Sequence, residues 1–116
     1  MNTKELQDLF DAFNNLNVMI VGDVMIDSYM WGSVERISPE APVPVVAVDS
    51  RENRLGGAAN VALNIQSLGA TPIIHTLIGD DDKGNELIKL VETQGLPTNG
   101  IITHPSRQTT VKTRII

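Results

Sequence analysis

The residues with chemical reach in this chain lie in three short segments. Gly22-Asp23-Val24-Met25-Ile26-Asp27 carries two carboxylates at the end of an apolar run. Gly56-Gly57-Ala58-Ala59-Asn60 opens a helical pattern with two glycines and places an amide in its first turn. Arg107, Lys112 and Arg114 gather cations near the C-terminus. A carboxylate accepts hydrogen bonds from two neighbouring hydroxyls, and it discriminates because an unpaired buried carboxylate is costly. Glycines before a helix let backbone amides approach a polar ligand, and an asparagine offers both a donor and an acceptor. Guanidinium and ammonium groups hold phosphate. Together these types describe recognition of a small polyhydroxylated molecule.

Each feature also has a plain structural reading. Asp27 can simply organise a turn. Gly56-Gly57 can be an ordinary loop-to-helix junction, and cations on a solvated strand need no ligand. Tyr29 and Trp31 either stack on a sugar face or pack beneath a neighbouring segment. Asp80-Asp81-Asp82 suggests a metal, but Gly84 stands where a calcium loop needs its third Asp or Asn, so helix capping is the simpler role. His75 and His104 have no partner at ligand spacing. No Gly-Lys-Ser/Thr phosphate loop and no dinucleotide GxGxxG occurs, which disfavours a P-loop ATPase and a nicotinamide dehydrogenase.

The elements that must position these groups follow from periodicity. Leu6, Leu9, Phe10 and Phe13 trace one face of a helix that should lie on a sheet, with Thr3 as its N-cap. Residues 18–21 form a short buried strand closed by Gly22-Asp23, so that Asp23 and Asp27 fall just beyond its carboxyl end, where open α/β sheets bind ligands. Pro39, Pro42 and Pro44 impose extended geometry before the β-branched run 43–48, which predicts an edge strand or flap. Ala58, Val61, Ala62, Ile65 and Leu68 trace a second helix ended by Gly69, and Leu87, Ile88, Leu90 and Val91 a third ended by Gly95. Strands are predicted from Pro72 to Ile78, near Ile101 and Ile102, and over 109–116. This alternation favours an α/β fold with parallel strands.

Composition narrows the function classes. At 116 residues, 41% hydrophobic and 20% charged, the chain fits one globular domain. A net charge of -5 argues against a nucleic-acid partner. The lack of cysteine removes disulfides and thiolate chemistry. The apolar runs are too short to span a bilayer, and the acidic N-terminus is no signal peptide. A cytoplasmic protein with a small-molecule partner is expected.

These residues in this order resemble the ribokinase-like, or PfkB, family of carbohydrate kinases, whose first signature matches Leu55-Gly56-Gly57-Ala58-Ala59-Asn60-Val61-Ala62. Within it, residues 36–46 (RISPEAPVPVV) with residues 55–64 (LGGAANVALN) are similar to the kinase domain of bacterial D-glycero-D-manno-heptose 7-phosphate kinases. The resemblance implies an α/β fold that is the N-terminal part of a ribokinase-like three-layer sandwich, with a mostly parallel sheet and a small β flap. Residues 1–116 would be an N-terminal fragment of that kinase domain, with the flap approximately at 31–48. It implies ATP-dependent phosphorylation of the heptose phosphate at its anomeric hydroxyl, a step toward the ADP-heptose of lipopolysaccharide, with Mg2+ serving the parent enzyme. Asp27, Gly56, Gly57 and Asn60 would hold the sugar, and the flap would make a homodimer contact. Arg107, Lys112 and Arg114 are candidate phosphate contacts.

No Gly-Ala-Gly-Asp-like segment is present, so the family's anion hole and base have no counterpart here. No catalytic residue, metal ligand or ATP contact is assigned, and the isolated chain is expected to be inactive. Two alternatives remain: a kinase of the same family for another sugar, and a non-catalytic sugar-binding or dimerisation module.

Overall fold

The computed structural model describes residues 1–116, the side chain of Glu35 excepted. In order the elements are α1 (Thr3–Phe13), β1 (Asn17–Val21), β2 (Val24–Ile37), β3 (Pro44–Gly57), α2 (Ala58–Ser67), β4 (Thr71–Gly79), α3 (Asp82–Thr93), β5 (Ile101–His104) and β6 (Val111–Ile115). The fold is α/β. One sheet has the order β1-β4-β5, the other β3-β2-β6. All pairings are parallel except that of β2 with β3.

The predicted flap is the far end of a long ribbon. β2 and β3 are 14 residues each, about 45 Å of extended chain, and they pair from Val24–Gly57 out to Ile37–Pro44. Asp27 therefore sits inside a strand rather than in a turn after one. Two register shifts, between Trp31 and Gly32 and between Val34 and Arg36, interrupt the ribbon; such bulges bend a strand and increase its twist. The ribbon helps to explain a Cα radius of gyration of 18.9 Å, against about 13 Å for a compact chain of this length. β3 lies at the edge of its sheet, in keeping with the prolines that precede it.

The core forms where the two sheets meet α2 and α3. Ile26, Ile74, Leu87 and Val91 are fully buried there, joined by Val24 and Leu55. In β2 the buried residues Val24, Ile26 and Ser28 alternate with half-exposed Met25, Asp27 and Tyr29, so the pleat gives one face to the core and the other to solvent. Gly69 and Gly95 follow the ends of α2 and α3 with φ of 106° and 72°, as the sequence suggests.

Three expectations are corrected. Asn2, not Thr3, caps α1, its side chain accepting from the Glu5 amide at 2.8 Å; Thr3 already has helical geometry. The apolar stripe of α1 covers no sheet: no residue of α1 is buried, because its neighbour β1 is an edge strand whose Met19 and Val21 are themselves exposed. On α2 the buried positions are Ala59 and Ala62, while Val61 and Leu68 face solvent. The helix starts immediately after Gly57, and the bond from the Ala58 amide to Asp23 O (2.8 Å) fixes its rotation. Among the described residues no helix is long and apolar enough to cross a membrane.

Candidate functional site

Gly22 and Asp23 break the chain between β1 and β2, and the start of α2 folds back onto this break. Gly57 N-caps α2 with φ 61° and ψ -135°, a conformation for which a Cβ is strained. A Cβ there would also stand 2.5 Å from Asp23 O. Gly56, one residue earlier, is buried under Asp27: a Cβ at 56 would lie 2.6 Å from Asp27 Oδ2 and 2.8 Å from its Cγ. The Asp27 carboxylate thus rests on the bare backbone of β3, beside the first turn of a helix with open amides.

The pleat collects further groups on the same face. Asp27 is in register with Arg54 on β3 and Lys112 on β6, and Tyr29 with Glu52 and Arg114. Arg54 lies over the Tyr29 ring at 4.7 Å and Arg114 at 5.6 Å. Arg114 Nη1 donates to Tyr29 Oη at 3.0 Å, and Trp31 stacks beside Tyr29 with centroids 5.9 Å apart. Arg54 is held by Glu52 through bonds of 3.0 and 2.8 Å. Hydrogen bonding to Arg54 lowers the Glu52 carboxyl below its ordinary pKa, and the same bond raises that of Arg54.

The remaining candidates lie elsewhere. Asn60 is exposed and lines a cleft of 320 Å³ with Glu52, Asn53, Arg54, Leu63 and Leu90, where β3 meets α2 and α3. Arg107 lies 3.7 Å from Asp23 and lines another cleft, of 360 Å³, with Gly22, His75 and Thr76 at the ends of β1 and β4. So Asp27, Gly56, Lys112 and Arg114 share one sheet face, Gly57 adjoins it, and Asn60 and Arg107 open onto separate clefts.

Asp81 caps α3, as the capping reading of the Asp80-Asp81-Asp82 run suggests, but it does more. Its Oδ1 accepts from the Gly84 amide (2.7 Å) and the Thr109 hydroxyl (2.7 Å), and its Oδ2 from the Thr109 amide (3.0 Å). Thr109 in turn accepts from the buried Gly79 amide at 2.9 Å. These bonds, those from Thr109 first, hold the Asp81 carboxyl below its ordinary range. They tie the approach to β6 onto the start of α3, and Thr110 O then accepts from Ile26 N at 3.0 Å. Thr109 and Arg54 were not singled out from sequence. The period-two run Glu52, Arg54, Gly56 could have flagged Arg54, whereas nothing local marks Thr109.

A half-exposed carboxylate on a glycine floor, an aromatic pair and several cations on one sheet face suit a hydroxylated, anionic small molecule. Comparison with known proteins supplies the family. Residues 15–116 match the family described as pfkB family carbohydrate kinase. The chain is 42% identical over its full length to the "Bifunctional protein HldE" of Pelobacter propionicus, covering 24% of that protein. It is 46% identical over 99 residues, 85% of its length, to the protein of the same name from Helicobacter pylori, covering 21% of it. The chain thus spans about a quarter of the length of the curated relatives it matches. Among solved structures it is similar to the fructokinase of Halothermothrix orenii, with 26% identity, TM-score 0.59, and coverage of 86% of this chain and 34% of that one. It is also similar in fold to the nucleoside kinase of Methanocaldococcus jannaschii, described as an archaeal member of the ribokinase family, at 18% identity, TM-score 0.63, and coverage of 85% and 32%.

Proposed function

We propose, from the premise that this chain belongs to the pfkB family of carbohydrate kinases, that it supplies the acceptor-binding part of an ATP-dependent sugar kinase. Its acceptor is D-glycero-D-manno-heptose 7-phosphate, phosphorylated at the anomeric hydroxyl. The observation that carries this reading is the Asp27 carboxylate seated on Gly56, beside the glycine junction where α2 begins. Two hydroxyls of a sugar can bridge to one carboxylate, and the glycine floor lets the ring approach the backbone. The choice of acceptor rests on the proline-rich segment 36–46, which resembles that of the heptose phosphate kinases, and on the cations beside Asp27.

In this reading Asp27 and the Gly56 and Gly57 backbone bind and orient the sugar, and Asn60, which opens onto a separate cleft, is left out. The β2–β3 ribbon excludes water above it and supplies a homodimer contact, in a cytoplasmic enzyme. Positioning is most of what phosphoryl transfer asks of a protein. ATP with its Mg2+ enters as the second substrate, and no residue described here is assigned to it. No catalytic base is assigned either, so the 116-residue chain binds acceptor without turning it over.

The test is Asp27→Asn in a longer protein that carries this segment, assayed with ATP and a panel of sugars. Losing a charge-assisted hydrogen bond of about 1.5–3 kcal/mol lowers kcat/KM for the heptose phosphate about 10- to 150-fold. Unchanged kinetics would remove Asp27 from recognition, and preference for another sugar would reassign the acceptor.

A further inference from the structure

Strand β6 has little packing to hold it in place. Val111 is half-buried, and Lys112, Thr113, Arg114 and Ile115 are exposed. Hydrophobic burial therefore does not choose the register of β6 on β2, and strands without a buried face are prone to slip. A slip of one residue would take Lys112 from its place opposite Asp27 and turn each side chain of β6 to the other face of the sheet. The register has to be set where β6 begins. The chain reaches it from β5, a strand of the other sheet, through residues 105–110, and of these Thr109 alone is buried.

Thr109 is gripped at three points. Its hydroxyl donates to Asp81 Oδ1 at 2.7 Å and accepts from the Gly79 amide at 2.9 Å, and its own amide donates to Asp81 Oδ2 at 3.0 Å. A helix cap needs one side-chain oxygen, and Asp81 Oδ1 supplies it to Gly84; Oδ2 goes to Thr109. The joint is close-packed, since a Cβ on Gly79 would stand 2.7 Å from Asp81 Oδ2 and 2.8 Å from the Thr109 nitrogen. The next carbonyl, Thr110 O, accepts from the Ile26 amide at 3.0 Å. That bond opens the pairing that places Val111 beside Ile26 and Lys112 beside Asp27.

We infer that Asp81 and Thr109 are positioning residues for the candidate site, locking β6 in the register that puts Lys112, and no other residue of β6, opposite Asp27. This role rests on the reading of Asp27 as an acceptor ligand and deepens it. Asp81 and Thr109 line a cleft with Asp82, Lys83, Gln108, Thr110 and Val111, none of which belongs to the Asp27 face, so they act on that face through β6.

The test compares variants of the 116-residue chain that spare the helix cap. Thr109→Val keeps the size of the side chain and removes its hydroxyl. Asp81→Asn keeps an oxygen for Gly84 and turns an NH2 group toward the Thr109 amide; it carries the comparison if Thr109→Val does not fold. Thr109→Ser returns the hydroxyl, and Leu87→Ala lowers stability without touching the joint. Amide hydrogen exchange followed by NMR reads the register without ligand, at Ile26, at Gly32, which donates to Ile116 O, and at Ile116, which donates to Met30 O. Trp31, the single tryptophan, stacks on Tyr29 of the Asp27 face, and its fluorescence reads a titration with D-glycero-D-manno-heptose 7-phosphate. In Thr109→Val and Asp81→Asn these three amides should exchange about tenfold faster while those of α2 keep their protection, and acceptor binding should weaken about fivefold or more. Thr109→Ser should restore both, and Leu87→Ala, measured where it is folded, should keep wild-type affinity. Unchanged exchange at the three amides, an increase spread evenly over the chain, or wild-type affinity in both variants overturns the positioning role. If the wild-type chain does not bind the heptose phosphate, the acceptor reading falls, and the lock on β6 stands where the faster exchange is local and falls where it is not.

Discussion

Replacing Gly56 and Gly57 by alanine, one at a time, should separate recognition from stability across a single peptide bond. A Cβ at position 56 would meet Asp27 Oδ2 at 2.6 Å, whereas ordinary contact begins at 3.4 Å, so the carboxylate must retreat by about 0.8 Å. The obstructed atoms are the end of a half-exposed side chain, which can rotate away for less than about 1 kcal/mol. A displaced carboxylate forfeits its bonds to the sugar, about 1.5–3 kcal/mol, so heptose phosphate binding should weaken about 10- to 150-fold. At position 57 the obstructed atom is Asp23 O, at 2.5 Å, which already accepts from the Ala58 amide and has no rotamer to adopt. The φ of 61° with ψ of -135° adds backbone strain of about 1–3 kcal/mol. Gly57→Ala should therefore cost about 3 kcal/mol and lower Tm by roughly 10 °C, at about 4 °C per kcal/mol for a chain of this size. Thermal melts and Trp31 titrations on both variants provide the comparison. If Gly56→Ala loses as much stability as Gly57→Ala, or keeps wild-type affinity, then the contact between Gly56 and Asp27 does not organise the site.

Two further outcomes follow from the packing and the hydrogen bonds. The Asp81 carboxyl is held below its ordinary 3.8 by Thr109 and Gly84; the stability it contributes is complete above 3.8 and is lost as pH falls through the lower folded value. Urea melts from about pH 6 to about pH 2 should show a shallower acid loss for Asp81→Asn than for wild type, and superimposable pH profiles would remove this carboxylate from the acid response. Leu87, fully buried in α3, should cost about 2–5 kcal/mol on truncation to alanine; a denaturant midpoint close to wild type would mean that the core described here does not hold the helices to the sheets.

The helices α2 and α3 were legible because each buries a side against the sheets and ends at a glycine. β2 and most of β3 were not. Residues 49–54, DSRENR, have no apolar alternation, since this stretch of the ribbon is open to solvent on most of its surface and hydrophobic periodicity records burial. Asp27 read as a residue beyond a strand because the Gly22-Asp23 break closes β1, although Val24, Ile26 and Ser28 alternate as a buried face. Gly56, Gly57 and Asn60 were legible as a segment, but the contact of Gly56 with Asp27 depends on an antiparallel register that pairs residues far apart in sequence. The placement of Arg54 against Tyr29 depends on that same register. The tie between Asp81 and Thr109 spans α3, β5 and two loops, and neither residue advertises the other.

The alternation along β2 has an evolutionary consequence. Ile26 and Ser28 belong to the buried interior, while Asp27 and Tyr29, their immediate neighbours, belong to the half-exposed face on which we propose that the acceptor binds. Mutations at the odd-numbered positions of this stretch can explore new acceptors without disturbing the residues that keep the chain folded, and β3 and β6 extend the same partition to Arg54, Lys112 and Arg114. A lineage built on such a strand can diversify its substrates by changing side chains on one surface while its scaffold stays under separate selection.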